Sequence, residues 1–381
     1  MKITVIGRGN AGCLTALHYG YYTRDLKNVS IELIYDPDIS PEKVGQASLQ
    51  PLPEFLWKAL ALNWYDNLIE ATPKLGILYE NWGSKNEKFM HPFPLHGLGM
   101  HFNPAKLQEL ILKSGYFSVK EKHVGSYEEI DSDFIFDCRG KPAKNSDDYE
   151  ELINPLNTVL LGEAKSKEVD INWTRAVATP DGWTFVIPNT TQTTSYGYLY
   201  NDEISSTEEA SANFEKMFSL EKQGVHQSEI SKLKFSKYIA KQPIIDNRIV
   251  LGGNRLFFLE PLEATAIGAY MHWIRLTFDW IIGKATTPDR LSREITKYIY
   301  QLQNYVNWHY TYGSKYDTPF WRNARNLKIA DPLFDTFLAY AKETSMVELL
   351  DVNNSGAAEH YGQWMGWNFK NWHDGMTKQE H

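Results

Sequence analysis

Two cysteines in 381 residues, Cys13 and Cys138, are too few for a disulfide framework and fit no metal-binding spacing. Such usage suits a reducing cytoplasm, which is the expected location. No apolar run approaches the length of a membrane span, and "MKITVIGRGNAG" enters a strand pattern at once, unlike a signal peptide. Basic residues are not in excess. A formal net charge of -8 and a pI of about 5.8 argue against nucleic acid or an anionic membrane as partner. Internal repeats and low-complexity tracts are also missing. What is plentiful is aromatic: 12 Trp, 22 Tyr and 18 Phe, side chains that fill cores and stack on planar ligands. With 43% hydrophobic residues, the length suits one large α/β unit or two intimately joined domains. The charged stretch "KPAKNSDDYEE", residues 141–151, is the expected flexible segment.

The first motif lies at the N-terminus. "KITVIG" reads as a buried parallel strand and "RGNAGCLTALHYGYY" as a helix, with Gly7-Arg8-Gly9-Asn10-Ala11-Gly12 between them. In a G-x-G-x-x-G of this setting, Gly7 makes the tight turn, Gly9 lets backbone approach a pyrophosphate and Gly12 allows close helix packing. The free N–H groups and dipole of the helix start then favour the anion. A second apolar strand, "VSIELIYD", ends at Asp36, where a carboxylate can hydrogen-bond ribose hydroxyls. The chain then runs into "PEKVGQASLQPLPEFL" rather than another simple crossover. Late in the sequence come a strand, a loop and a long apolar helix, residues 247–283. That arrangement favours an FAD module over a plain NAD fold.

Further stretches have both a functional and a plainer reading. In "FFLEPLEATAIGAY", residues 257–270, Pro261 suits a first helical turn, so the N–H groups of Thr265 and Ala266 fall near a helix start. Glu260 and Glu263 there complement the helix dipole without any catalysis. In "GWTFVIP", Trp183, Phe185 and Ile187 alternate on one face of a strand ending at Pro188, as burial of a single sheet face explains. Lys74, in "EATPKLGILYENW", reads locally as a solvated charge at a strand opening. His91, His96 and His101 recur every five residues in a segment broken by Pro and Gly, which matches no zinc motif. Trp364, Trp367 and Trp372 near the C-terminus read first as packing side chains.

In order along the chain, these pieces resemble the flavin-dependent tryptophan halogenase family over about residues 1–322. "GRGNAG" resembles its flavin loop, and "KVGQASLQPL" its flavin strap, usually V-G-E-A-T, here Val44-Gly45-Gln46-Ala47. "ATPKLGILYENW" resembles the strand carrying the family's catalytic lysine, "HFNPAKLQELI" its H-F-D segment and "DFIFDCRG" its D-x-x-I-D-C-S-G. "GWTFVIP" resembles W-x-W-x-I-P, "TSYGYLY" the G-Y-V-Y that follows, and "FFLEPLEATAIG" resembles F-x-E-P-L-E-S-T-G-I. "NWHYTYGSKYDTPFWR" resembles a late H-Y…D-T-x-F-W element.

The resemblance implies an FAD-binding Rossmann-like α/β fold of the flavin monooxygenase and halogenase kind, with an inserted mixed β-sheet and a mainly helical C-terminal substrate module. The expected organisation is an FAD domain over 1–285, its substrate-side sheet drawn from roughly 80–105 and 155–235, and a helical module over 286–381. The implied enzyme uses FADH2, O2 and a halide to make hypohalous acid, which travels internally to an electron-rich arene of indole or phenol type. Lys74 would position the oxidant or form a haloamine, and Glu263 would polarise it or take the arene proton. Halide would sit on the N–H groups of Thr265 and Ala266. Trp183, Phe185, Ile187 and Pro188 would form the barrier between flavin and substrate, and His101 and Phe102 would line the substrate cavity. With no second glycine-rich loop in the chain, reduced flavin would come from a separate reductase. A homo-oligomer stays open.

Several positions depart from the pattern. Phe185 replaces the second tryptophan of the signature, Gln46 the strap glutamate, and Ala264 and Ala266 a serine and a glycine. The chain is also short for the family, so tryptophan itself is not assumed as substrate. The competing readings are a flavin monooxygenase that hydroxylates its substrate, with Lys74 incidental, and a flavin-binding sensor without turnover.

Overall fold

The computed structural model describes residues 1–41, 44–83, 88–93, 97–140, 147–165, 171–189, 193–226, 229–351 and 359–377. His96 and most of the expected flexible segment therefore lie outside the described residues. The chain divides into two compact units and alternates between them. The first comprises Met1–Pro73, Gly99–Leu152 and Lys237–Lys297, the second Lys74–Leu98, Ile153–Ser236 and Tyr298–His381.

The first unit is built on a six-stranded sheet. Its order is Ile244–Ile245, Ile249–Leu251, Phe134–Asp137, Lys2–Ile6, Ser30–Tyr35 and Ser118–Glu121, and all but the first strand run parallel. Ile3, Val5 and Ile135 are fully buried, because parallel strands with both faces covered need continuous apolar runs rather than alternation. The strand Ser118–Glu121 at one edge is exposed and charged, which discourages pairing with another chain. The helix Asn10–Thr23 is buried on nearly every side, and packs beside Thr265–Ile281. That fits a sequence apolar all round.

In the second unit, seven strands line up as Ser231–Lys234, Thr158–Ala164, Thr194–Tyr200, Gly182–Pro188, Trp173–Thr179, Gly76–Glu80 and Lys88–Pro92. Every neighbouring pair is antiparallel except Trp173–Thr179 with Gly76–Glu80, so the sheet is mixed. The strand Gly182–Pro188 departs from the expected alternation: all seven residues are buried. Val186 faces a core of Tyr196, Tyr198, Phe214 and Phe218, contributed in part by the helix Thr207–Phe218. Ser206 and Glu209 close that helix's N-terminus in a reciprocal capping box. On the strand's other residues, the Phe185 ring lies over its cross-strand partner Gly197. A Cβ on Gly197 would fall 2.1 Å from the ring, so the close approach requires glycine.

The C-terminal region is mainly helical, as the fold class implies, with helices Pro288–Thr311, Pro319–Ala324, Pro332–Glu343, Met346–Leu350 and Gly366–Met376. Its tryptophans pack. Trp364 stacks on Tyr305 at 3.8 Å between ring centroids, and Trp372 lies 3.7 Å from His309. Two buried indoles of the second unit satisfy their N–H groups on backbone: Trp82 donates to the Ala176 carbonyl and Trp321 to that of Thr179.

Phe214 is fully buried among tyrosines and aliphatic side chains. Phe214→Ala is expected to lower unfolding free energy by about 3–5 kcal/mol, as core phenylalanine deletions do. Urea denaturation followed by tryptophan fluorescence measures it, and a loss below about 1 kcal/mol would contradict this packing.

Candidate active site

The glycine turn joins the strand Lys2–Ile6 to the helix Asn10–Thr23. Gly7 has φ +108°, and a Cβ there would meet the Cys138 carbonyl oxygen at 2.5 Å. A Cβ on Gly12 would come within 1.9 Å of the Gly7 oxygen, so both positions exclude any larger residue. At Gly9, by contrast, the space a Cβ would enter is open. Gly9 caps the helix in extended conformation, and the first-turn N–H groups that follow have no partner within the helix. This turn has the shape a diphosphate needs: tight, bare at its middle glycine and ending in free donors. The Asn10 side chain turns inward instead, its Oδ1 accepting from Gln108 Nε2 at 3.0 Å, while Ala11 is half-buried in the first turn.

Asp36 follows the strand Ser30–Tyr35. Its Oδ2 lies 2.8 Å from His123 Nδ1, and its Oδ1 accepts the Asp38 N–H at 3.0 Å. The hydrogen bond from His123, then that from Asp38, holds the carboxyl below its usual range. Sequence reading passed over His123. Its signal was topological: Ser118–Glu121 pairs in parallel beside Ser30–Tyr35, so residues just past both strands meet at one edge.

The strap and the H-F segment come together. Gln46–Ala47 pairs antiparallel with Gly99–Phe102, setting Gln46 opposite Phe102 and Ala47 opposite His101. Val44 and Gly45 lead into this short strand, Gly45 buried and Val44 half-buried. His101 is wholly buried, its Nδ1 2.9 Å from Thr72 Oγ1, and Phe102 is buried beside it. His91 belongs to the second unit, where Asn368 Nδ2 lies 2.9 Å from its Nε2, so these two histidines serve separate surroundings.

Lys74 ends the strand Thr72–Lys74. It is 0% exposed, which overturns its local reading as a solvated charge. Its Nζ lies 5.4 Å from the centroid of the Phe93 ring, within reach of a cation–π attraction. Trp183 and Phe185 meet edge to face at 6.3 Å, and Ile187 and Pro188 continue the same buried strand.

The loop before the helix Thr265–Ile281 differs from the expected first turn. Pro261 lies outside the α-helix, and Glu263 (φ 66°) and Ala264 (φ 52°) both take left-handed backbone. Left-handed conformation costs a non-glycine residue about 1–2 kcal/mol, so the surroundings must enforce it. Glu263 is buried at 4% exposure, Thr265 is fully buried and Ala266 half-buried. An anchor for this loop stands at its base. Phe257–Phe258 pairs antiparallel with Tyr238–Ala240, and next to that pairing Lys237 Nζ meets Glu260 Oε1 at 3.0 Å, with both side chains essentially inaccessible. Burial pulls the Lys237 ammonium below the usual lysine range, against the opposing pull of Glu260. Nothing local in "FSKYIAK" marks Lys237, because its partner lies beyond the next strands.

Both thiols are shut away. Burial pushes Cys13 up to about 12 and raises Cys138 further, so neither is a nucleophile near neutral pH.

A family model described as tryptophan halogenase matches residues 2–121 and 112–379. The chain belongs to the tryptophan halogenase family. Family likeness thus runs well past residue 322, where the sequence resemblance faded. The tryptophan 6-halogenase ThaL of Streptomyces albogriseolus is 28% identical over 171 residues, 44% of this chain and 31% of that protein. The tryptophan 7-halogenase RebH of Lentzea aerocolonigenes is 23% identical over 257 residues, 64% of this chain and 47% of that one. The chain therefore spans less than half the length of either relative. The fold matches that of BrvH, a flavin-dependent halogenase from Brevundimonas sp. BAL3, with a TM-score of 0.77 at 16% identity, over 98% of this chain and 89% of that one.

Removing one partner of a buried ion pair costs about 3–5 kcal/mol, while replacing both with apolar groups is often neutral. Lys237→Met is expected to destabilise by that amount, and the Lys237→Met/Glu260→Leu double variant to regain most of it in the same urea titration. Equal losses in the two variants would count against the pair as described.

Proposed function

We propose that this member of the family is a flavin-dependent halogenase that uses FADH2, O2 and a halide to halogenate an electron-rich aromatic substrate of indole or phenol type. The observation that carries the reading is Lys74. A lysine is almost never fully buried without a specific reason, and this one occupies the place of the family's motif lysine. The second support is Glu263, a buried carboxylate held in left-handed backbone immediately before a helix start. Strain of that kind gathers at functional sites.

FAD would be held by the turn Gly7, Gly9, Asn10, Ala11 and Gly12, with Asp36 toward the ribose and the strap Val44–Ala47 along the flavin. When bound and reduced, it supplies with O2 the oxidation that converts halide to hypohalous acid. The protein's own residues then do the rest. The N–H groups of Thr265 and Ala266 hold the halide at a helix N-terminus, where the dipole favours an anion. Lys74 donates a hydrogen bond to the oxidant or carries its halogen as a haloamine. Glu263 polarises the oxidant or removes the proton from the arene. Trp183, Phe185, Ile187 and Pro188 keep the substrate from the flavin, and His101 and Phe102 help enclose the ring to be halogenated. Phe185, though smaller than tryptophan, is a bulky ring backed by Gly197, so the barrier is kept. A separate flavin reductase supplies FADH2.

Incubation with reduced FAD, air, bromide and a panel of indoles and phenols tests the reading by product mass. Hydroxylated products without brominated ones would replace it with the monooxygenase reading, and reduced flavin held without oxygen consumption or product would leave a sensor. Lys74→Ala is expected to lower arene bromination at least a hundredfold while flavin binding and peroxide release persist; retained bromination would remove Lys74 from its role. The methyl of Ala266, where the motif carries glycine, is expected to favour larger and more easily oxidised ions. Competition between chloride, bromide and iodide reads this directly, and a clear preference for chloride would refute it.

A further inference from the structure

Asp137 ends the strand Phe134–Asp137, opposite Ile6 on one side and Leu251 on the other. It lies at the carboxyl edge of the parallel sheet, where open α/β sheets bind their ligands. The carboxylate is wholly buried, and several donors converge on it. Arg139 grips it with Nε to Oδ1 and Nη2 to Oδ2, each at 2.9 Å, and adds its backbone N–H at 3.1 Å, while its Nη1 donates to the Val124 carbonyl at 2.8 Å. The Tyr127 hydroxyl donates to Oδ2 at 2.6 Å, and Arg255 Nε lies 3.2 Å from the same oxygen. Burial works against the charged form of Asp137, but the bonds from Arg139 and Tyr127 outweigh it and hold the carboxyl below its usual range. One carboxylate therefore faces two guanidiniums, and the cluster keeps a net charge of about +1.

The two arginines outnumber the one carboxylate they meet. Here both keep 28% of the side chain accessible, so the surplus positive charge is not sealed in. Its location is informative. The Cβ position of Gly7 falls 3.2 Å from the Arg139 nitrogen, and that of Gly253 falls 2.5 Å from the Ala11 Cβ. Arg139 and Arg255 thus leave the chain within two residues of backbone that touches the glycine turn. The family-like motif D-x-x-I-D-C-S-G has a neutral serine where this chain has Arg139.

We infer that Arg139 and Arg255, braced on Asp137, form a guanidinium cradle for the diphosphate of the bound dinucleotide. The inference rests on the flavin reading above. A diphosphate carries two negative charges and gains from cationic donors beyond the helix N–H groups; Arg255, and the N–H groups of Arg139 not spent on Asp137 and Val124, can supply them. A mononucleotide or an uncharged flavin forgoes that contact.

Titration of the full chain with FAD, FMN, riboflavin and ADP, followed by flavin fluorescence and calorimetry at low and high salt, tests this. The wild type is expected to bind FAD at least tenfold more tightly than FMN. Arg255→Met and Arg139→Ser are each expected to weaken FAD and ADP about tenfold or more, in line with hydrogen bonds to charged groups. Riboflavin affinity should stay within twofold, and the salt dependence of FAD binding should become shallower. Wild-type FAD affinity in both folded variants would overturn the cradle. Should either variant fail to fold, Arg255→Lys, which keeps the charge and loses the fork, is read instead: a fall of several-fold for FAD with riboflavin unchanged supports the cradle, and no fall overturns it. A wild type that binds ADP but no flavin would refute the flavin reading while leaving the cradle standing. One that binds neither would refute both.

Discussion

Three stretches of backbone meet with no room between them: the turn at Gly7, the helix start at Gly12 and the strand end at Cys138. The rest of the first unit is arranged around that contact. Because Gly12 lies against the Gly7 oxygen, the helix Asn10–Thr23 must leave the sheet at a fixed point, with its free N–H groups at the sheet's carboxyl edge. The strand Phe134–Asp137 then brings its own charged end to the same edge. The neighbouring strand Ser30–Tyr35 adds Asp36. None of these groups is close in sequence, and a single steric fit sets them together.

The second theme is charge taken out of water. Lys74, the pair Lys237–Glu260, Asp137 and Glu263 are all buried, in a chain whose ordinary ionic contacts, such as Lys58 with Glu54, lie at the surface. Exposed pairs contribute little, whereas each buried ion costs several kcal/mol unless it is met by partners. A fold keeps such groups only where the surroundings compensate them. The hydrogen bonds from Arg139 and Tyr127 to Asp137, with Arg255 beside them, are one form of compensation. The anchor beneath the left-handed Glu263 and Ala264 is another, since it fastens the strand from which that loop departs.

Much of this was legible in the residues. The apolar runs "KITVI" and "FIFD" identify strands buried on both faces, and the spacing of Gly7, Gly9 and Gly12 describes the turn that forms. Period-two alternation in "GWTFVIP" identified a strand but missed that both faces are covered, because the second cover comes from the distant helix Thr207–Phe218. Local reasoning erred on Lys74 for the same reason. Burial is decided by what packs on top, and a short window of sequence holds no record of that. Pairings such as Asp36 with His123 or Lys237 with Glu260 became visible only through strand order. The left-handed backbone at Glu263 had no signal, since neither it nor Ala264 is a residue that favours such geometry.

The alternation of the chain between its two units also bears on how the protein is made. The strand Lys2–Ile6 and the glycine turn leave the ribosome about 240 residues before the strand Ile249–Leu251 and the covering helix Thr265–Ile281 that complete the sheet holding them. Until then, apolar strand faces and an open sheet edge wait without cover, a condition that favours aggregation. Nascent chains cut short before residue 249 should therefore be clients of chaperones rather than half-working enzymes, and the glycine turn, though translated long before these elements, is among the last parts of the first unit to be enclosed.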